Sequence, residues 1–255
     1  MSLNLFGLSI PLYGIMITIG IVIAMAIAIW LGKRRGFKSD DYFTLALYVI
    51  PLAVLGARTY FAIFSGANFT FLEFFEIWNG GLAILGAVIG GAIGVLLYSL
   101  IHKKNFFKLA DTIAPALLVG QAIGRIGCYF AGCCHGVEIT NSALHFFPAG
   151  IVIDGTWHYA TMFWECAWCL LAFAALLLIF KRFKQTGVAL SCYCILYGIG
   201  RAIIETFRGD SLYLFDSGLK VSQLLSILLI IAGIIALIII YTKSRKQPSE
   251  KDNNS

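Results

Sequence analysis

Residues 124–136 concentrate the side chains of this sequence that can do chemistry. These thirteen residues hold four glycines, three cysteines, one histidine and one arginine, whereas most of the surrounding sequence is apolar. Glycine inside a helix costs about 1 kcal/mol relative to alanine. We therefore expect this segment to interrupt helical structure and to form a site.

Three chemistries are open to Cys128, Cys133 and Cys134, which lie beside His135. A metal site is one, although the paired C-x₂-C spacing typical of zinc motifs is absent. A disulfide in an oxidising compartment is the second, and a nucleophilic cysteine next to a histidine is the third. Four other cysteines lie in apolar segments, where we expect them to serve as small packing residues: Cys166, Cys169, Cys192 and Cys194.

The composition indicates an integral membrane protein. Hydrophobic residues make up 60% of the chain and charged residues 13%, whereas soluble domains are about 45–50% apolar and about 25% charged. The net charge of +6 is spread in short clusters between apolar segments. A nucleic-acid partner would need that charge on one soluble face, so we expect none.

Seven segments are long and apolar enough to span a membrane as helices, since a span needs about 20 such residues. The sequence thus predicts an all-α integral membrane protein. The fourth span is the weakest, because Asp111 and Pro115 lie near its start. The predicted spans are residues 12–32, 42–64, 81–101, 109–127, 159–180, 187–207 and 220–242.

The basic residues predict the orientation of the spans. Of the 19 lysines and arginines, 14 lie in alternate loops, after the first, third, fifth and seventh spans. The positive-inside rule assigns those loops to the cytoplasm, with the N-terminus outside and the C-terminus inside. We expect residues 1–242 to form a single polytopic membrane domain and residues 243–255 to form a polar, disordered cytoplasmic tail.

Five basic residues lie instead within the predicted spans or at their outer ends. A charge at the bilayer centre costs about 2.5–3.5 kcal/mol on insertion scales, so such residues are candidates for function. The alternative is that each extends to the interface or closes a structural ion pair. These residues are Arg58, Arg125, Arg201, Arg208 and Lys220.

The sixth span carries Tyr197, Arg201, Glu205 and Arg208 at spacings of four, four and three residues. Side chains at these spacings share one face of a helix. Arg201 and Glu205 can form an ion pair, which lowers the cost of both charges. The face predicts a ligand-binding arginine with its supporting residues, and a structural ladder between helices is the alternative.

Glycines organise the third predicted span. Gly86, Gly90 and Gly94 recur every four residues, a pattern that lets helix backbones approach closely. We expect this stripe to serve packing. The preceding Gly80 and Gly81 offer backbone N–H groups to an anion.

Taken together, these segments resemble the prolipoprotein diacylglyceryl transferases. Residues 124–130 resemble the G-R-x-G-N-F centre of that family, and residues 197–208 resemble its Y-G-x-x-R-F-x-x-E-x-x-R segment. The family's seven spans with an outside N-terminus match the topology above. Further similar segments are residues 12–14, 55–58, 80–82 with Gly86, and 222–226.

The resemblance implies a reaction. The family transfers the diacylglyceryl group of phosphatidylglycerol to the lipobox cysteine in the signal peptide of a bacterial prolipoprotein. A thioether forms and glycerol phosphate leaves. The chain would then be a multi-pass protein of the bacterial cytoplasmic membrane, with the acyl chains of membrane lipids between its helices, and it would need no metal and no organic cofactor.

The resemblance also implies site residues. Arg125 and Arg201 match the family's two key arginines, and Tyr197 matches a tyrosine near the headgroup. Together with His135 as base, these are the predicted catalytic residues. The predicted substrate-binding residues are Tyr13, Arg58, Gly80, Gly81, Gly124, Gly127, Cys128, Glu205 and Arg208.

The sequence departs from the family pattern at several positions. Leu85 stands where the family has a histidine, and Cys128 stands where it has an asparagine. Residues 131–136 differ, and residues 159–165 keep only Glu165 of the family's motif. If the missing histidine is the base, His135 or His158 would replace it, although each also fits an ordinary interfacial histidine.

Three hypotheses follow from this resemblance and from the positions that depart from it. The first is a divergent diacylglyceryl transferase with the same reaction. The second is a paralogue that uses a cysteine as a lipid carrier or has another acceptor. The third is a non-catalytic membrane protein that binds lipid or metal and whose cysteines are structural.

Overall fold

The computed structural model describes residues 2–5, 8–64, 74–75, 80–209 and 220–246. The described residues form two compact units, one within residues 1–28 and 111–255 and the other within residues 29–110. Much of the loop between the second and third spans lies outside the described residues, as do residues 247–255 of the predicted tail. Residues 243–246 of that tail continue the last helix.

Within the described residues, seven helices are long and apolar enough to cross a membrane, which confirms the predicted fold class. Their ends lie within four residues of the predicted spans. The orientation of the termini stays a prediction. The helices are α1 (Leu12–Arg34), α2 (Ser39–Phe64), α3 (Ile84–Ile101), α4 (Phe106–Ala131), α5 (Thr161–Arg182), α6 (Val188–Glu205) and α7 (Val221–Lys246).

Two antiparallel hairpins accompany the helices and were not predicted. Strands β1 (Ser2–Leu5) and β2 (Leu8–Pro11) form the first, and β3 (Gly150–Ile153) and β4 (Thr156–Tyr159) form the second. The turn of the second hairpin is Asp154-Gly155, with φ of +48° and +83°. Asp-Gly between two short segments rich in β-branched and aromatic residues is a strong signal for a hairpin, so the second hairpin could have been predicted from the sequence.

The expected interruption at residues 124–136 is wrong for the first half of that segment. Helix α4 continues through Gly124 and Gly127 to Ala131. A Cβ on Gly127 would lie 3.1 Å from the Met16 Cβ of α1, so the glycine allows a close approach of the two helices. This packing outweighs the helix propensity of glycine. The helix ends at Ala131, because Gly132 turns the chain with a φ of +67° and donates its N–H to the Tyr129 carbonyl at 3.1 Å.

A buried carboxylate explains the weak start of the fourth span. Asp111 on α4 is 1% exposed, and its two oxygens accept the backbone N–H groups of Gly187 at 2.6 Å and Leu190 at 2.8 Å. These donors belong to the first turn of α6, where N–H groups have no partner within the helix. Asp111 therefore caps α6 from a neighbouring helix.

The glycine stripe of α3 packs against α2, as predicted. A Cβ on Gly86 would overlap the Gly56 carbonyl, and one on Gly90 would overlap the Leu52 carbonyl. Helix α3 begins at Ile84 rather than at residue 81, because Gly80 and Gly81 have φ of +84° and +73°. Such values lie outside the right-handed helical region.

We predict that Gly90→Ala destabilises the protein and that the neighbouring Gly91→Ala does not. The first should lower the free energy of unfolding by about 1–3 kcal/mol, because the backbones must separate. The second meets its nearest atoms at 3.8 Å, and alanine is the better helix former. Unfolding in detergent micelles followed by circular dichroism measures both. Equal effects of the two variants would contradict the packing.

Candidate functional site

Glu165 of α5 joins three helices. The residue is 2% exposed. Its Oε1 lies 2.7 Å from Nη2 of Arg125 on α4, and its Oε2 lies 3.0 Å from Nη1 of Arg201 on α6. One carboxylate is thus the shared counterion of two arginines within membrane-spanning helices.

Glu205 extends the cluster along α6. Its Oε2 lies 2.9 Å from Nη2 of Arg201 and 4.0 Å from Nε of Arg208, which confirms the predicted pair of Arg201 and Glu205. Lys220 donates from Nζ to the Glu205 carbonyl at 2.7 Å and to the Arg208 carbonyl at 2.9 Å. The cluster holds four basic and two acidic side chains, so a bound anion would reduce its net charge.

Two predicted tyrosines border this cluster. Tyr197 lies one turn before Arg201 and close enough to Arg125 and Glu165 to interact with their charges. Its ring stacks on Tyr193 with centroids 5.7 Å apart. Tyr13, at the start of α1, is 43% exposed. Its ring lies beside Gly127, where an added Cβ would be 3.3 Å from the nearest ring atom.

The structure also brings Cys128, Cys133 and Cys134 together. Their Sγ atoms all lie within 4.8 Å of one another. Cys128 is buried on the last turn of α4, and its carbonyl accepts the N–H of Cys133 at 3.1 Å. Thr161, at the start of α5, donates from Oγ1 to the Cys134 carbonyl at 2.8 Å. Among the described residues no cysteine forms a disulfide.

The pKa of the Cys134 thiol is lowered well below its usual range. The main cause is a hydrogen bond from the Cys128 thiol, which stabilises the Cys134 thiolate. The positive charges of Arg208 and Arg125 act in the same direction. The segment after α4 is therefore in electrostatic contact with the arginine cluster.

His135, the predicted base, packs against another histidine. The His135 and His158 ring centroids are 4.5 Å apart, and each Nδ1 lies 3.1 Å from the Gly136 carbonyl. His158 Nε2 also lies 2.8 Å from Thr156 Oγ1. An Nδ1–H that donates to the carbonyl leaves Nε2 of His135 as an acceptor. In the described part of the chain, His135 is not a member of the ion-paired cluster.

Three predicted substrate-binding residues, Arg58, Gly80 and Gly81, lie in the compact unit of residues 29–110. Arg58 is buried and donates from Nη1 to the carbonyls of Gly80 at 2.5 Å and Gly81 at 3.1 Å, and from Nε to the Phe74 carbonyl at 3.0 Å. These contacts join α2 to the segment before α3. A role of the three residues in substrate binding stays a prediction.

Glu165 was not among the site residues predicted from the sequence. One signal could have found it, since Glu165 is the only charged residue between Tyr159 and Phe180. A lone carboxylate in an apolar span needs a counterion. The approach of Cys133 and Cys134 to Cys128 was not evident either, because it depends on how the chain turns at Gly132.

We predict that Glu165→Gln lowers the free energy of unfolding by roughly 3 kcal/mol, because two arginines lose their shared counterion. Glu138→Gln is the matched control, because Glu138 is exposed and its change should stay within about 0.5 kcal/mol. Unfolding in detergent micelles measures both variants. A Glu165→Gln protein as stable as the control would contradict the shared-counterion assignment.

The chain is similar to known proteins over nearly its whole length. The family model described as prolipoprotein diacylglyceryl transferase matches residues 1–239. Phosphatidylglycerol–prolipoprotein diacylglyceryl transferase 1 of Clostridium perfringens is 37% identical over 244 residues, 92% of each chain. The enzyme named phosphatidylglycerol–prolipoprotein diacylglyceryl transferase of Clostridioides difficile is 36% identical, and the alignment covers 98% of each chain. The enzyme of the same name of Oceanobacillus iheyensis is 37% identical, and the alignment covers 98% of this chain and 89% of that enzyme. With seven spans among the residues that the structure describes, the chain is a multi-pass protein of the bacterial cytoplasmic membrane. It belongs to the prolipoprotein diacylglyceryl transferase family.

Proposed function

We propose that this protein transfers the diacylglyceryl group of phosphatidylglycerol to the thiol of the lipobox cysteine in a prolipoprotein signal peptide. Family membership and the names of the relatives support the reaction class and both substrates. The lipobox and signal peptide as recognition elements rest on the sequence resemblance. The acceptor cysteine becomes a thioether, and glycerol phosphate is released.

The shared Glu165 is the observation that carries the proposal. Phosphatidylglycerol enters with a phosphodiester of charge −1, and its leaving group is a phosphate monoester that approaches −2. A group that gains negative charge during the reaction is stabilised most by fixed positive charges in the transition state. Arg125 and Arg201 are held by Glu165 at 2.7 and 3.0 Å, so their guanidinium groups are positioned before the lipid arrives.

The bond changes follow from these charges. The acceptor sulfur attacks the glyceryl carbon of the lipid, and the bond from that carbon to the phosphate oxygen breaks with its electron pair on oxygen. Arg125 and Arg201 bind that oxygen and its neighbours through bidentate hydrogen bonds. The acceptor thiol must lose a proton before or during attack, and His135 is the base that the sequence predicts.

The remaining residues would position substrate. Tyr13 and Tyr197 border the cluster and would contact the headgroup, while Glu205 and Arg208 keep Arg201 in place. The positive-inside pattern assigns this end of α4 and α6 to the outer leaflet, where the precursor would be met. Exposed apolar side chains along the helices would contact the acyl chains.

We predict that the protein restores lipoprotein labelling in a bacterium depleted of its own transferase. Arg125→Ala and Arg201→Ala should each lower activity at least about 100-fold, because each removes a donor to the developing phosphate charge. Arg245→Ala is the matched control, since Arg245 is exposed and lies over the Tyr241 ring, 4.9 Å from its centroid. Transfer from labelled phosphatidylglycerol to a lipobox peptide in vesicles gives the rates.

Two results would contradict the proposal. If both arginine variants retain the activity of the Arg245→Ala protein, the site assignment is wrong. If folded wild-type protein neither restores labelling nor transfers the lipid in vesicles, the proposed reaction is wrong.

A further inference from the structure

The bond changes proposed for the transfer involve none of the three neighbouring thiols. We propose that Cys128, Cys133 and Cys134 bind one Zn²⁺ ion and that its fourth coordination position takes the acceptor thiol of the substrate. The second part rests on the proposed function. The first part is a metal site in its own right.

The sulfur positions fit a zinc ion. Tetrahedral zinc with Zn–S bonds of about 2.3 Å separates its sulfurs by about 3.8 Å. The three Sγ atoms already lie within 4.8 Å of one another, so the widest pair must close by only about 1 Å. Three protein ligands with one open position are typical of catalytic zinc rather than structural zinc.

The backbone around the thiols is fixed from two sides. The Cys128 carbonyl holds the N–H of Cys133 at 3.1 Å, and Thr161 holds the Cys134 carbonyl at 2.8 Å. Cys134 has φ of +67°, a left-handed conformation that is unfavourable for a residue other than glycine. Such strain persists where the surrounding structure enforces it, and it is common at functional sites.

The local charge also fits. Zn²⁺ with three thiolates carries a net charge of −1, and a fourth thiolate makes it −2. Arg125 and Arg208 lie close enough to Cys134 to act on it electrostatically. Arg125 is also one of the two proposed phosphate ligands and lies one helical turn before Cys128. A thiolate on the zinc would therefore lie near the leaving group.

Zinc supplies what the acceptor thiol needs. A thiol that coordinates zinc is acidified and gives up its proton, for which His135 remains the predicted base. The resulting thiolate forms the new bond from sulfur to the glyceryl carbon as the bond from carbon to oxygen breaks, and the phosphate oxygen keeps the electron pair. The product thioether is neutral and a weaker ligand, so it leaves the ion. Glu165 and Glu205 are poor alternatives as bases, because their oxygens are paired with arginines.

Metal content tests the site without reference to activity. Protein purified in detergent without chelators should contain one zinc per chain by elemental analysis. Cys128→Ser, Cys133→Ser and Cys134→Ser should each lower that content at least tenfold. Cys194→Ser on α6 is the matched control and should keep the zinc, and circular dichroism should show that all four variants are folded. Zinc-free wild-type protein that cannot be loaded would overturn the site, as would a disulfide between two of the three cysteines in active protein.

Cobalt substitution tests the fourth position. Co²⁺ in the zinc site gives a thiolate charge-transfer band whose intensity follows the number of bound thiolates. A lipobox peptide should raise that band by about one third, from three thiolates to four, and the same peptide with serine in place of cysteine should not. An unchanged band with bound peptide would overturn the activation of the acceptor.

The outcomes separate this inference from the proposed function. If the three cysteines bind zinc but the protein transfers no lipid, the metal site is correct and the proposed reaction is wrong. If zinc-free protein transfers lipid, or if a Cys→Ser variant does so at the wild-type rate, the zinc proposal is wrong and the proposed reaction is correct. A single essential cysteine that becomes lipidated would identify a carrier thiol and overturn the zinc.

Discussion

Charges inside a membrane-spanning helix bundle need partners, and the sharing of Glu165 between Arg125 and Arg201 meets that need here. A carboxylate that is 2% exposed would be too costly alone, and so would either guanidinium at that depth. Each of the three residues lies on a different helix, so α4, α5 and α6 must approach in one register to satisfy them. The same pairing holds both arginines where an anionic lipid headgroup can meet them.

The rest of the described unit supports that register through polar contacts at the helix ends. Asp111 caps the start of α6, and Lys220 binds carbonyls at its end. Thr161 connects the start of α5 to the segment after α4. Each of these contacts gives a hydrogen-bond partner to a backbone group at or beyond a helix end, where the helix itself supplies none. The helix that carries Arg201 is therefore fixed at both ends.

Much of this arrangement could be predicted from the sequence, since it depends on local periodicity and hydrophobicity. The seven spans, the glycine stripe of α3 and the shared face of Arg201 and Glu205 follow from residue spacing along one helix. The contacts of Glu165 could not be predicted, because they join residues 36 to 40 positions apart and spacing says nothing about such pairs. The continuation of α4 beyond residue 127, where the predicted span ends, accompanies close packing of Gly127 against α1, which helix propensity ignores. The approach of the three thiols required the turn at Gly132.

A structure of the protein in lipid nanodiscs containing phosphatidylglycerol would show whether Arg125 and Arg201 bind the lipid phosphate. We expect the lipid phosphate within hydrogen-bonding distance, about 2.7–3.2 Å, of the guanidinium groups of Arg125 and Arg201, next to the three cysteines. Glu165 would keep at least one of its two ion pairs as the counterion. Phosphatidylglycerol bound only elsewhere, with both arginines still closed on Glu165, would contradict the account.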